Sequence, residues 1–257
     1  MDKRNLHRLR RMLIITASYL LYSHLAYCQH IEIWWQKAKA AKKAKNYTEA
    51  VKWYHKLAEA GHSIGQFYLA HSYSEGLGTD INLKEAVKWY RRAADKGLAE
   101  AQLNLGLCYS SGEGVEVNKM KALLWYQKAA DQGMVEAQFN IGCIYANGEG
   151  ALQNDRMAVY WYRKAAVAGY EKAQHNLGTC YEYGKGVPQN YELALYWYRK
   201  AADQGFPDSE YNIGVYYYLG RVVEYNLEEA LRWMQKAADK GLEDAQNAIE
   251  YIHNQEK

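Results

Sequence analysis

Between residues 98 and 133 apolar side chains recur at Ala101, Leu105, Cys108 and Tyr109, and again at Ala122, Trp125, Tyr126 and Ala129. Both sets have the three- and four-residue steps of one helical face, so the stretch predicts two amphipathic helices. The polar segment between them carries Gly112 and Gly114, which suit a helix end and a tight turn. Asn118 stands where the second helix needs an N-cap, with Asn82, Asn154, Asn190 and Asn226 in the same place elsewhere. Gly133 closes the segment, as do Gly61, Gly97, Gly169, Gly205 and Gly241.

The pattern repeats without slippage. Tryptophans at 53, 89, 125, 161, 197 and 233 lie 36 residues apart. One helix pair cannot bury its own apolar stripe, whereas stacked pairs bury a continuous core. The predicted organisation is an N-terminal segment 1–30, capping helices 31–61, repeats 62–97, 98–133, 134–169, 170–205 and 206–241, and a capping helix 242–257. No alternating run predicts a strand, and the two prolines, Pro188 and Pro207, fall in a loop and at a helix start.

The motif A-x-x-x-L-G-x-x-Y-x-x-G-x-G-V followed by A-x-x-W-Y-x-K-A-A-x-x-G resembles the SEL-one-like repeat family, relatives of the tetratricopeptide repeats. Gly106, Tyr109, Gly112, Gly114, Val115, Ala122, Trp125, Tyr126, Lys128, Ala129 and Ala130 carry the resemblance. It covers 62–241 fully and 46–257 with partial repeats. Ala70, Val222 and Met234 depart from it, and Val222 replaces a loop glycine. The resemblance implies an all-α, right-handed α-solenoid. It further implies an adaptor or scaffold that binds other proteins without activity of its own.

Charge changes the picture at one end. The chain's formal charge is +3, but residues 1–45 hold ten Lys/Arg against two Asp/Glu, a net of +8, which leaves 46–257 at −5. A nucleic-acid partner would call for a basic stripe on the repeats, so none is expected. The basic residues Lys3 to Arg11 precede 12–31, which has no Lys, Arg, Asp or Glu but Tyr and His. This is the secretory pattern, and export to the periplasm or medium is expected. An uncleaved anchor through 12–31, or lipidation of Cys28 after Leu25-Ala26-Tyr27, would attach the chain to a membrane instead. The run 37–45 reads either as a basic patch or as the solvated face of a capping helix whose Trp34, Trp35 and Ala38 pack inward. Cys108, Cys143 and Cys180 fall in three successive repeats, too far apart for disulfides at helix-packing distances, and are expected as free buried thiols. The cysteine pair within each repeat that some secreted members of the resembled family carry is missing.

No metal-ligand spacing, phosphate loop or nucleophile–base motif occurs, so neither a cofactor nor a catalytic residue is assigned. Gly184-Lys185-Gly186 recurs as Gly112-Glu113-Gly114 and Gly148-Glu149-Gly150 and reads as an inter-helix turn. The remaining candidate is the concave face that the related fold lines with its first helices. Carried over on the L-G-x-x-Y anchor, that face would hold Phe67, His71, Leu103, Phe139, His175 and Tyr211, with Asn104, Asn140, Asn176 and Asn212 beside them. The asparagines either lock neighbouring helices or offer amides to a bound chain. A protein or peptide partner is therefore expected there. A cell-wall-active or β-lactam-binding protein is the alternative. Two expectations follow. Gly142→Val should disturb a close helix approach, and Phe139→Ala with Tyr211→Ala should weaken binding while thermal stability barely moves.

Overall fold

In the computed structural model, which describes residues 27–255, all regular structure is helical and no strand occurs among the described residues. Helix α1 covers 27–43. It is followed by α2 (Tyr47–Glu59), α3 (Ser63–Glu75), α4 (Leu83–Asp95), α5 (Ala99–Ser111), α6 (Lys119–Asp131) and α7 (Val135–Asn147). Then come α8 (Asp155–Val167), α9 (Glu171–Tyr183), α10 (Tyr191–Ala202), α11 (Pro207–Leu219), α12 (Leu227–Asp239) and α13 (Glu243–Gln255). The chain divides into two compact units, Met1–Glu116 and Val117–Lys257, each built from the same helix pair.

The local chemistry follows the sequence. Every even-numbered helix from α2 to α12 starts at an asparagine whose side chain accepts a backbone N–H three residues on. Asn190 accepts from Leu193 at 2.8 Å. This satisfies one of the orphan amides of the first turn. Ala101, Leu105, Cys108 and Tyr109 of the expected apolar faces are buried on α5, and Ala122, Tyr126 and Ala129 on α6, where Trp125 is half-buried. Gly142 lies against the Tyr162 ring, where an added Cβ would sit 2.6 Å from two ring carbons.

Hydrogen bonds between pairs occupy recurrent slots that periodicity alone did not disclose. Gln66, Gln102 and Gln174 are buried, and each donates to the last turn of the preceding helix, at Ala58, Ala94 and Ala166 oxygens (3.1, 3.2 and 3.1 Å). Gln204 donates to Gly169 O at 2.9 Å and Lys240 to Gly205 O at 3.0 Å. In the last full repeat Glu210 takes the glutamine's place, and Lys240 reaches both its oxygens at 2.7 Å. Arg221 reaches back 39 residues to Glu182 in the repeat before it.

The second loop glycine meets the N-terminal backbone of the second helix of the preceding pair. At Gly186, φ is +72° and an added Cβ would lie 2.3 Å from Asp155 O. Val222 occupies the equivalent slot and keeps a left-handed backbone, with φ +51°. The loop retains its conformation there at the expense of strain in a β-branched residue.

Helix α1 acts as a cap. Ala38 is fully buried, and Trp35 packs on Tyr68 and His62 with ring centroids 5.7 and 6.1 Å apart. Lys37 and Lys42 lie over the rings of Trp53 and Tyr68 at 4.6 and 4.4 Å. The run 37–45 is thus largely the outer side of a docked helix. The helix already includes 27–30, and Tyr27 donates from its hydroxyl to Ala60 O.

Candidate functional site

The first helices of the repeats, α3, α5, α7, α9 and α11, carry the ten residues expected on the binding face. The structure gives them different surroundings. In the N-terminal unit Phe67 is half-buried, stacked on His71 and 5.8 Å from the Tyr90 ring. Leu103 is only 5% exposed. It is a core residue, and the expectation that it faces a partner is corrected. The side chain lies on the same helix stripe as Ala99 and Gln102, which is turned toward the neighbouring helix.

In the C-terminal unit Phe139 packs against the Tyr162 and Tyr170 rings at 5.9 and 5.2 Å and borders the cluster around Ala165, Ala173 and Leu177. Part of this ring therefore supports the core, so Phe139→Ala is now expected to lower the melting point rather than leave it unchanged. His175 is held between Tyr198 and Phe206, with Nδ1 2.9 Å from Ser209 Oγ. Tyr211, in the slot of His175, packs beside Ala237, Ala238 and Ala245 and borders an open groove of about 440 Å³. Val215, Tyr218, Met234, Asn247 and Tyr251 line the rest of it. Asn247 and Tyr251 were not found from sequence, because α13 carries only half of a repeat.

The asparagine row is not uniform. Asn104 Nδ2 donates to Glu100 O of its own helix at 2.8 Å. Asn176 hydrogen-bonds the Tyr162 hydroxyl. Asn140 Nδ2 is buried without a partner, and Asn212 is half-buried. Two of the four amides thus serve the protein itself.

Burial lowers the His175 pKa, Asp208 opposing it, and burial likewise lowers that of His62 in the other unit. A histidine with a folded pKa below its unfolded value binds fewer protons when folded. Its stabilisation is complete above the unfolded pKa of about 6.5 and is lost as pH falls through that value toward the folded one. Urea midpoints are therefore expected to drop between about pH 7.5 and 5.5, with part of the slope removed in His175→Gln. An identical slope in that variant would contradict the assignment.

The cysteines of the repeats are free. Cys108 and Cys180 are buried, and burial pushes both thiols up to about 11. Cys143 is half-buried and accepts from the Tyr162 hydroxyl at 3.6 Å. Cys28 is exposed on α1. Of the export segment expected over 1–30, residues 1–26 lie outside the described residues, while 27–30 belong to α1. Among the described residues no helix is long and apolar enough to cross a membrane.

Comparison with known proteins agrees with this geometry. The family model described as Sel1 repeat matches at 40–62, 63–98, 99–134, 135–170, 171–206 and 207–242. The crystal structure of a Sel1 repeat protein from Oxalobacter formigenes superposes with a TM-score of 0.75 at 32% identity, over 82% of this chain and 86% of that one. A protective antigen of uropathogenic Escherichia coli with the same repeat fold, c5321, gives 0.61 at 33% identity, over 81% of this chain and 53% of its own. A comparison with curated proteins gave no match. Six matched repeats in a wholly helical array place the chain in the Sel1 repeat family, whose members generally act as protein-interaction scaffolds.

Proposed function

We propose that this chain is a non-catalytic scaffold that binds a segment of a partner protein along the face of the first helices of its C-terminal unit, at the groove beside α11 and α13. The groove bordered by Tyr211 and Tyr251 carries the reading. Its volume of about 440 Å³ accommodates several side chains, and it joins aromatic walls to the polar atoms of Asn247 and Asp244. Sites of that composition supply apolar burial together with a few orienting hydrogen bonds. The partner-facing set of this unit is accordingly His175, Tyr211 and Asn212, with Phe139 shared between face and core. The basic-then-apolar N-terminus supports export of this scaffold.

The test is photo-crosslinking in a bacterial host. A benzophenone amino acid replacing Tyr251 should capture one discrete protein. Tyr211→Ala in the same chain should remove that product, and affinity for the captured partner should fall by about 2 kcal/mol, roughly 30-fold. The same bands from a probe at Leu152, which is 92% exposed and remote in sequence, would reject the reading.

A further inference from the structure

The outer sides of the second helices contain an internal control. One slot holds Lys52 on α2, Lys88 on α4 and Arg232 on α12. Each forms an ion pair with a glutamate three residues earlier, at 3.1, 3.0 and 2.8 Å. This is the ordinary way such a face meets water. The three intervening helices depart from it together. The same slot holds Leu124 on α6, Tyr160 on α8 and Tyr196 on α10, which are 61%, 48% and 50% exposed. Their positions three residues back are Lys121, Met157 and Leu193, so the glutamate is gone as well.

A second slot changes on α8 alone. Glu59, Asp95, Asp131, Asp203 and Asp239 occupy it in the other repeats, but α8 has Val167, 73% exposed. The Tyr160 and Tyr196 rings rest edge-on against Trp161 and Trp197, at 5.2 and 5.1 Å, and so present fixed faces. Leu124, Tyr160, Val167 and Tyr196 all belong to the C-terminal unit. At ordinary helix-packing distances successive repeats put them about 10 Å apart.

Cations flank the apolar row. Lys128 sits over the Trp125 ring at 3.8 Å, Lys164 over Trp161 at 4.9 Å and Lys200 over Tyr196 at 5.8 Å. Arg163 and Arg199 donate to the hydroxyls of Tyr181 and Tyr217. None of these five has a carboxylate partner among the described residues. Asp131, Glu192 and Asp203 lie at the ends of the row, but the outer side of α8 shows Arg156, Tyr160, Arg163, Lys164 and Val167 with no acid among them.

From this coincidence we infer that the outer side of α6, α8 and α10 is a second docking surface, for an acidic amphipathic segment of a protein partner. Its apolar side chains would cover Leu124, Tyr160 and Tyr196 while its carboxylates meet Lys128, Arg163, Lys164, Arg199 and Lys200. Apolar burial supplies affinity, and the cations select the sign of the partner and speed its approach. The surface is separate from the groove at Tyr211.

The experiment selects a phage-displayed random peptide library on the full chain and titrates the enriched peptides by fluorescence anisotropy. The enriched sequences should be acidic, with apolar residues at helical spacing. The triple variant Leu124→Gln, Tyr160→Gln, Tyr196→Gln and the triple variant Lys128→Glu, Lys164→Glu, Lys200→Glu should each bind at least tenfold more weakly. Val167→Asp should weaken binding severalfold with its fold assured, since aspartate fills that slot in the neighbouring repeats. Tyr211→Ala with Tyr251→Ala should leave these peptides bound as before, which separates failure here from failure of the groove reading. Enrichment of basic or uncharged peptides, or of peptides indifferent to Val167→Asp and both triple variants, would overturn the inference. So would sedimentation of the chain with phosphatidylglycerol vesicles, or a dimer in the ultracentrifuge, if either were lost in the Leu124, Tyr160, Tyr196 variant.

Discussion

Gly186→Val is expected to destabilise the protein by about 3 kcal/mol or more. Two costs combine. A β-branched residue at φ +72° pays about 1–2 kcal/mol for the left-handed backbone. Its Cβ would also lie 2.3 Å from Asp155 O, and a backbone atom cannot swing aside as a side chain can, so about 1–3 kcal/mol of overpacking is added. The chain holds the reciprocal experiment in Val222, which already carries the first cost in the same slot. Val222→Gly should stabilise by about 0.5–1 kcal/mol, because relief of strain outweighs the entropy that glycine restores to the unfolded chain. Urea denaturation of both variants gives the measurement. Equal stability of Gly186→Val and the parent would show that the loop can move as a body.

Glu182→Ala should cost about 3 kcal/mol. Glu182 is buried at the end of α9, where Oε2 accepts from the Tyr198 hydroxyl at 2.6 Å and Oε1 from Arg221 at 2.8 Å. Tyr198 is wholly buried, and Arg221 lies over the Tyr191 and Tyr216 rings at 4.5 and 5.4 Å. Removing the carboxylate takes the shorter acceptor from the Tyr198 hydroxyl, leaving it Thr179 Oγ1 at 3.2 Å, and leaves a half-buried guanidinium without its carboxylate. Arg221→Ala alone should cost less, since Glu182 keeps the tyrosine. A coupling energy near zero in the Glu182–Arg221 double-mutant cycle would show that the pair is incidental.

The architecture was legible because its determinants recur. A tryptophan every 36 residues, an asparagine at each second-helix start and a glycine at each loop are all set by backbone geometry that every repeat shares. The site was less legible for the same reason. A slot fixes which helix face a residue occupies, but its burial depends on what the neighbouring repeat places opposite. Leu103 and Phe139 share a slot, yet the first is core and the second borders it. Asn104, Asn140 and Asn176 share another and meet a backbone oxygen, no partner and a tyrosine hydroxyl. The row Leu124, Tyr160 and Tyr196 was plain in the sequence, but it becomes informative only once Lys52, Lys88 and Arg232 are seen to form ion pairs in the same slot.

The ties that hold the array reach no further than the next repeat. Gln66, Gln102 and Gln174 span eight residues each, and even the Arg221–Glu182 pair closes a loop of 39. The entropy of closing such a loop depends on its own length and not on that of the whole chain. Contact order therefore stays low however many repeats are joined, and folding can begin at any adjacent pair and spread from there. A ribosome releasing this chain repeat by repeat would deliver each new helix pair beside a neighbour already able to receive it.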